Sequence, residues 1–277
     1  MTGKYSTIHI AFAINDAYAD HLGVEIVSIL SNNKKSVFSF YVLSNDISRT
    51  SKNKLELTVG CFSRSTINFI HMDDSLFDGF PLRIKHITKE AYYRYVLPDV
   101  LPSLSRVLYL DADLLVLGDI TPLWSIDLEG YFVAGSHKEY ITKQFPGYKE
   151  SIGLQESDTY VNSGVLLLNL DYIRKRDKVR ELFDNTVKLK DIIRIQDQDV
   201  INITFRDEIR HLDKIYNYTT SDMAEWTRKP DEVIVVHFNT KNKPWNSNFA
   251  VTDDNRFFAN AYLAYLNKYR TLTASSV

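Results

Sequence analysis

Cysteine is nearly absent from this chain. The single residue among 277, Cys61, excludes an internal disulfide framework and any cysteine-based zinc site. An excess of charge of one sign is also missing. The 33 basic and 35 acidic residues leave a net charge of -2, so no bulk field draws the chain to nucleic acid or to an anionic membrane, although a local basic site remains allowed. No apolar run approaches the length of a membrane span. The first residues pass from Met1 through one lysine directly into Ile8-His-Ile-Ala-Phe-Ala13, too short for the apolar region of a signal peptide. A cytoplasmic protein is therefore expected. Internal repeats, low-complexity tracts and Pro/Gly/Ser-rich linkers are lacking, so no boundary is marked along the chain. What the chain does have is enough apolar material, 44% of residues, for the core of one α/β unit with a small appended helical piece.

Apolar runs of strand length alternate with helical patterns. Ile8 to Ala13, Phe38 to Leu43, Ile67 to His71, Arg106 to Leu110, Tyr131 to Gly135 and Val165 to Leu170 are the expected strands. The expected helices are His21 to Leu30, Lys52 to Phe62, Thr88 to Val96 (stopped by Pro98 and Pro102), and a charged helix from Asp171 to about Lys190. This order argues for a mostly parallel sheet with helices on both faces, and such sheets bind ligands beyond the carboxyl ends of their strands. The polar stretch from His137 to Thr159 reads as a long binding loop on the acceptor side. Between Phe257 and Tyr269 an aromatic-rich amphipathic helix is expected to close the fold against the sheet, with membrane or partner contact as the competing reading.

The segment Arg106-Val-Leu-Tyr-Leu-Asp111-Ala-Asp113 is an apolar strand that runs into two carboxylates one residue apart. Alternation along a strand would point Asp111 and Asp113 the same way and Ala112 the other. Carboxylates held so close repel and lose solvation unless a cation lies between them, and oxygen ligands suit Mg²⁺ or Mn²⁺. An isolated Asp-x-Asp on a loop would more often be a solvated pair, but this one follows a buried run.

Three further stretches fit a metal site. Val233-Ile-Val-Val-His237 is a strand ending in an imidazole, which is a good third ligand for Mn²⁺, and Lys241, Lys243-Pro-Trp245 follow at a distance suited to a diphosphate. Asn162-Ser163-Gly164 sets a polar turn before a buried strand, where Gly164 would allow close backbone approach to a ligand. Gln196-Asp197-Gln198-Asp199 opens an apolar helix, and capping by Asp197 explains part of that pattern without any function.

Taken together these motifs resemble glycosyltransferase family 8, the retaining enzymes that include lipooligosaccharide galactosyltransferases and glycogenins. The matching pieces run in the family's order over nearly the whole chain: Phe12-Ala-Ile-Asn15-Asp16, His86-Ile87 with Tyr92-Tyr-Arg94, Leu108-Tyr-Leu-Asp111-Ala-Asp113, Thr121-Pro-Leu-Trp124, Asn162-Ser-Gly-Val-Leu-Leu-Leu-Asn169, Gln196-Asp-Gln-Asp-Val-Ile-Asn202, and His237 with Lys243-Pro-Trp245. The resemblance implies a GT-A, Rossmann-like α/β domain over residues 1–250 and a C-terminal helix and tail over 251–277. It implies Asp111, Asp113 and His237 as protein ligands of Mn²⁺, with Mg²⁺ as a substitute. Ala13 and Asn15 would meet the uracil and ribose of a UDP-sugar, and Ala112 and Lys243 would border its diphosphate. Arg94, Asn162, Asp197 and Gln198 would surround the donor sugar, and His86 and Ile87 would lie between donor and acceptor. The implied partners are UDP-galactose or UDP-glucose and a saccharide, glycolipid or glycoprotein acceptor. Peripheral contact at the inner face of a membrane and a homodimer are compatible with such a protein.

The chain departs from the family where the strand Tyr131 to Gly135 enters its loop. Relatives often carry an acidic residue there, and this chain has Ser136-His137; a glycine usual between the histidine and the lysine is Thr240. A haloacid dehalogenase-type hydrolase also uses Asp-x-Asp after a strand, but near the N-terminus and followed by a hydroxyl residue, whereas Leu114-Leu115 follow here. No Gly-rich phosphate loop follows the first strand, as a sugar-nucleotide pyrophosphorylase would need. A non-catalytic binding module is opposed by the intact Asp111, Asp113, His237 and Gln198. The 17 tyrosines invite comparison with self-glucosylating relatives, but aromatic packing is a simpler cause.

Overall fold

The structure, a computed structural model, describes residues 7–274 except Ser63, Lys85, His86 and Trp226. Its strands are β1 (Thr7–Ala13), β2 (Val37–Ser44), β3 (Thr66–His71), β4 (Arg106–Leu110), β5 (Leu114–Val116), β6 (Val133–His137), β7 (Val161–Asn169), β8 (Ile209–Leu212), β9 (Tyr218–Thr219) and β10 (Val235–His237). Its α-helices are α1 (Ala19–Asn32), α2 (Arg49–Gly60), α3 (Leu97–Val100), α4 (Thr121–Trp124), α5 (Glu139–Gln144), α6 (Tyr148–Ser151), α7 (Leu170–Lys175), α8 (Lys178–Leu189), α9 (Gln196–Thr204) and α10 (Arg256–Thr273).

Seven strands form one sheet in the order β3-β2-β1-β4-β7-β6-β8, all parallel except β7, which runs against both neighbours. Period-two patterning explains its two covered faces. Ile8, Ile10, Phe12, Leu108 and Leu110 face a core shared with Leu22, Ile26 and Ile29 of α1 and Leu55 of α2. The intervening Ala11, Val107 and Tyr109 face the opposite core, beneath Tyr92, Tyr95 and residues of α7, α8 and α9. A second, three-stranded sheet has the order β5-β10-β9.

Several elements differ from expectation. The strand expected at Val165 begins at Val161, so Asn162-Ser163-Gly164 lies within β7 and not in a turn before it. Asp111 to Asp113 form a bend between β4 and β5, so their carboxylates converge through that bend and not through strand alternation. The charged helix after Asp171 is broken into α7 and α8 at Asp177, whose φ of 52° leaves the helical region. Lys89–Val96 is a 3₁₀ helix leading into α3. The expected long loop holds α5 and α6 around a small core of Ile141, Tyr148, Ile152, Leu154 and Tyr160.

Helix α10 packs on α1 and on the small sheet, where Phe258, Tyr262 and Tyr269 join Val24, Val27, Leu115 and Val236. Gly23 of α1 is required by this contact, since a β-carbon there would stand 2.2 Å from the Tyr269 ring. Among the described residues no helix is long and apolar enough to cross a membrane.

Candidate active site

One cleft of about 430 Å³ opens beyond the carboxyl ends of β1 and β4. Because β7 is antiparallel, its first residues arrive at the same end, and the Asp111 amide donates to the Gly164 carbonyl at 2.9 Å. Pairing of β10 with β5 sets His237 opposite Leu114, and the Phe238 amide donates to the Asp113 carbonyl at 3.0 Å. These two backbone links bring the bend and the histidine together. Ala13, Asn15, Ile87, Arg94, Asp111, Ala112, Asp113, Asn162, Asp197, Gln198, His237 and Lys243 all line this cleft, and His86 lies outside the described residues.

Asp111, Asp113 and His237 each offer a ligand atom within 4.8 Å of the others. His237 Nε2 stands 3.1 Å from Asp113 Oδ1 and 3.7 Å from Asp111 Oδ2. Asp113 Oδ1 is buried with no donor beside it other than the His237 ring, as suits an atom reserved for a cation. The set, two carboxylates and an imidazole, fits Mn²⁺ or Mg²⁺. Gly164 makes room for it, since a β-carbon there would lie 2.3 Å from His237 Cε1 and 2.7 Å from Asp111 Oδ2. The close approach expected of this glycine is thus to ligating side chains.

The charges around the ligands are compensated. Burial alone would raise the Asp113 pKa, but Lys243 and His237 outweigh it and hold the carboxyl well below its usual range. Lys243 Nζ pairs with Asp113 and donates to the Phe238 carbonyl at 2.5 Å. Buried Arg94 lies 4.2 Å over the Tyr109 ring and bridges Asp111 Oδ1 at 2.9 Å and Asp197 Oδ2 at 3.3 Å. Asp197 is pushed up to about 6 by burial, against the pull of Arg94 and with a contribution from Asp111.

Gln198 is held rigidly. Its Oε1 accepts from Asn162 Nδ2 at 2.9 Å and from the Ser163 amide at 3.2 Å, and its Nε2 donates to Tyr160 Oη at 3.2 Å. No side chain caps α9 at Ile195, and Asp199 Oδ2 accepts from the Arg194 and Ile195 amides just before the helix, at 2.8 and 2.7 Å. Tyr148 and Tyr160 hydroxyls complete its shell.

This fold is shared with known proteins. The family model described as glycosyl transferase family 8 matches residues 9–249. The chain belongs to glycosyltransferase family 8. It is 30% identical to general stress protein A of Bacillus subtilis, with 97% of each chain covered. It is 25% identical to lipopolysaccharide 1,2-glucosyltransferase of Escherichia coli, covering 92% of this chain and 78% of that one. A solved structure of the galactosyltransferase LgtC with donor and acceptor sugar analogs superposes with a TM-score of 0.85 at 28% identity, covering 94% of this chain and 96% of that chain. The seven-stranded sheet, its flanking helices and the C-terminal helix are therefore those of a GT-A glycosyltransferase.

Three residues outside the motifs also stand at or directly behind this cleft. Tyr18 lines the cleft beside Asn15, its ring edge-on to Trp245. Asn217 reaches both His237 and Asn162. Lys138, the first residue beyond β6, places an ammonium in the cleft wall, 2.9 Å from Asp222 and 3.1 Å from Thr219 Oγ1. The departure at Ser136-His137 was the one sequence signal near Lys138; Tyr18 and Asn217 carry no motif of their own.

Proposed function

We propose that this family 8 glycosyltransferase is a retaining enzyme that moves galactose or glucose from a UDP-sugar to a hydroxyl of a saccharide or glycoconjugate. The observation that carries the reading is the convergence of Asp111, Asp113 and His237 beside Lys243, with the amide of Gln198 fixed across the same cleft. Asp111, Asp113 and His237 would hold Mn²⁺, or Mg²⁺ in its place, and the ion supplies electrophilic assistance to departure of the diphosphate. Lys243 adds a second positive charge where negative charge develops. At the far end, Asn15 Oδ1 is buried without a partner and can accept from the edge of a base, while Tyr18 offers a ring face.

Retention needs either a covalent intermediate or attack from the face of departure. A double displacement would require a free carboxylate nucleophile. Asp199 is spent on two tyrosines and two amides, Asp197 is buried against Arg94, and Gln198 is an amide. Same-face substitution follows, with Gln198 softening the oxocarbenium charge and the departing phosphate helping the acceptor hydroxyl. A glycosyl adduct on Asp197, Asp199 or Gln198 during turnover, read by mass spectrometry, would contradict this.

The direct test incubates the protein with a panel of UDP-sugars and Mn²⁺ and measures UDP release against an EDTA control and Asp113→Asn. One donor is expected to be hydrolysed, with loss of release in both controls. Release that survives EDTA would overturn the metal-dependent reading, and absence of both release and donor binding would overturn transferase activity.

A further inference from the structure

A continuous line of hydrogen bonds runs from the candidate metal ligand His237 through the sugar side of the cleft into the core. His237 Nδ1 lies 3.0 Å from Asn217 Oδ1, Asn217 Nδ2 donates to Asn162 Oδ1 at 2.9 Å, and Asn162 Nδ2 donates to Gln198 Oε1 at 2.9 Å. Gln198 Nε2 then donates to Tyr160 Oη at 3.2 Å, and the Tyr160 hydroxyl donates to Asp199 Oδ1. Every link beyond the imidazole points the same way, from Asn217 toward the carboxylate.

Backbone donors fix that direction at two places. The Ser163 amide requires an acceptor at Gln198 Oε1 and the Gly164 amide requires one at Asn162 Oδ1 (3.0 Å), while the Arg194 and Ile195 amides hold Asp199 Oδ2 and leave Oδ1 to the tyrosine. Backbone N–H groups cannot reverse, so neither Asn162 nor Gln198 can flip without losing one of them, and a flipped Asn217 would set its oxygen against Asn162 Oδ1. Asn217 Oδ1 can then only accept, and Nδ1 of His237 must carry the proton. When the ring is neutral a lone pair is then left on Nε2, which faces Asp111 and Asp113.

We infer that Asn217 is a positioning residue that selects the Nδ1–H tautomer of His237, and that Tyr160 and Asp199 anchor the same line so that metal ligand and Gln198 are oriented as one unit. A metal-ligating histidine is tuned by the partner of its other ring nitrogen. The inference rests on the reading of Asp111, Asp113 and His237 as a metal site. Its tests use the metal-free protein or Mn²⁺ alone, so failure of sugar transfer and failure of the line give different results.

Nitrogen-15 NMR of the metal-free protein at pH 9, assigned with His237→Gln, should show the neutral His237 ring protonated at Nδ1. A neutral wild-type ring protonated at Nε2 and bare at Nδ1 would overturn the inference without any variant. In Asn217→Leu the ring should change to Nε2–H, and Mn²⁺ affinity by calorimetry should fall about ten- to a hundredfold. Asn217→Asp keeps the acceptor for His237 but cannot donate to Asn162, so it should retain the Nδ1–H ring and Mn²⁺ binding while donor hydrolysis drops. Tyr160→Phe should likewise lower hydrolysis more than Mn²⁺ affinity. A folded Asn217→Leu with Nδ1–H and unchanged Mn²⁺ affinity would overturn the proposal, as would loss of the Nδ1–H ring in Asn217→Asp.

Discussion

At Gly164 the backbone of β7 passes so close to His237 and Asp111 that one methyl group has nowhere to go. Gly164→Ala should abolish detectable Mn²⁺ binding by calorimetry and cost about 1–3 kcal/mol of stability, the usual range for overpacking. Wild-type affinity in that variant would mean that the ligands lie elsewhere. Glu25 of α1 is fully buried with both carboxylate oxygens unpartnered, and burial, together with repulsion from Asp113 and Asp111, raises its pKa well above 4.5. Protons are therefore bound more tightly in the folded state. The stability this group contributes is complete below its unfolded pKa and is lost as pH rises through the folded value. Glu25→Gln should melt higher than the wild type at pH 8 and lose that advantage toward pH 4; a constant difference would contradict the sign. Residues such as Asp111, Asp113 and His237 were legible because each lies at the end or start of an apolar strand. Asn217, Tyr18 and Lys138 were not, because only the fold brings them to the cleft.

Among the elements, α10 acts on the cleft without lining it. Tyr262 Oη lies 2.9 Å from His21 Nδ1, and His21 stacks at 4.0 Å on Trp245, two residues beyond Lys243. Burial lowers the His21 pKa to about 4, so the ring enters this stack neutral. Removing the Tyr262 ring should loosen the loop that carries Lys243. Tyr262→Ala should lose about 3–5 kcal/mol of stability, as for other large aromatic truncations, and should raise KM for the donor; unchanged KM would confine α10 to a structural role. The large parallel strands and α1, α2 and α10 were legible from period and apolar runs. Of the small sheet only β10 was legible, as the run from Val233 to His237; β5 and β9, and the four-residue edge strand β8 of the large sheet, were not, because strands so short leave too little pattern to read. The break between α7 and α8 was hidden for another reason, since the apolar positions continue across Asp177. The direction of β7 follows from tertiary pairing with β4 and β6, which local sequence does not encode.

Over the whole molecule, the near balance of charge leaves recognition to the local field of the cleft, where Lys243, Arg94 and the carboxylates compensate one another. Ligands that bind only the folded chain stabilise it by mass action. Mn²⁺ at a hundred times its dissociation constant should add about 2.7 kcal/mol, seen as a higher melting temperature that EDTA reverses and Asp111→Asn lacks. The GT-A architecture, the cleft and the family all converge on a nucleotide-sugar transferase. Calorimetric binding of UDP is the decisive measurement, made with Mn²⁺, with EDTA, and on His237→Ala. Tight binding with Mn²⁺ that disappears in EDTA and in His237→Ala is the expected result; UDP binding indifferent to metal and to His237 would contradict the metal-assisted departure of the diphosphate on which the proposed chemistry depends.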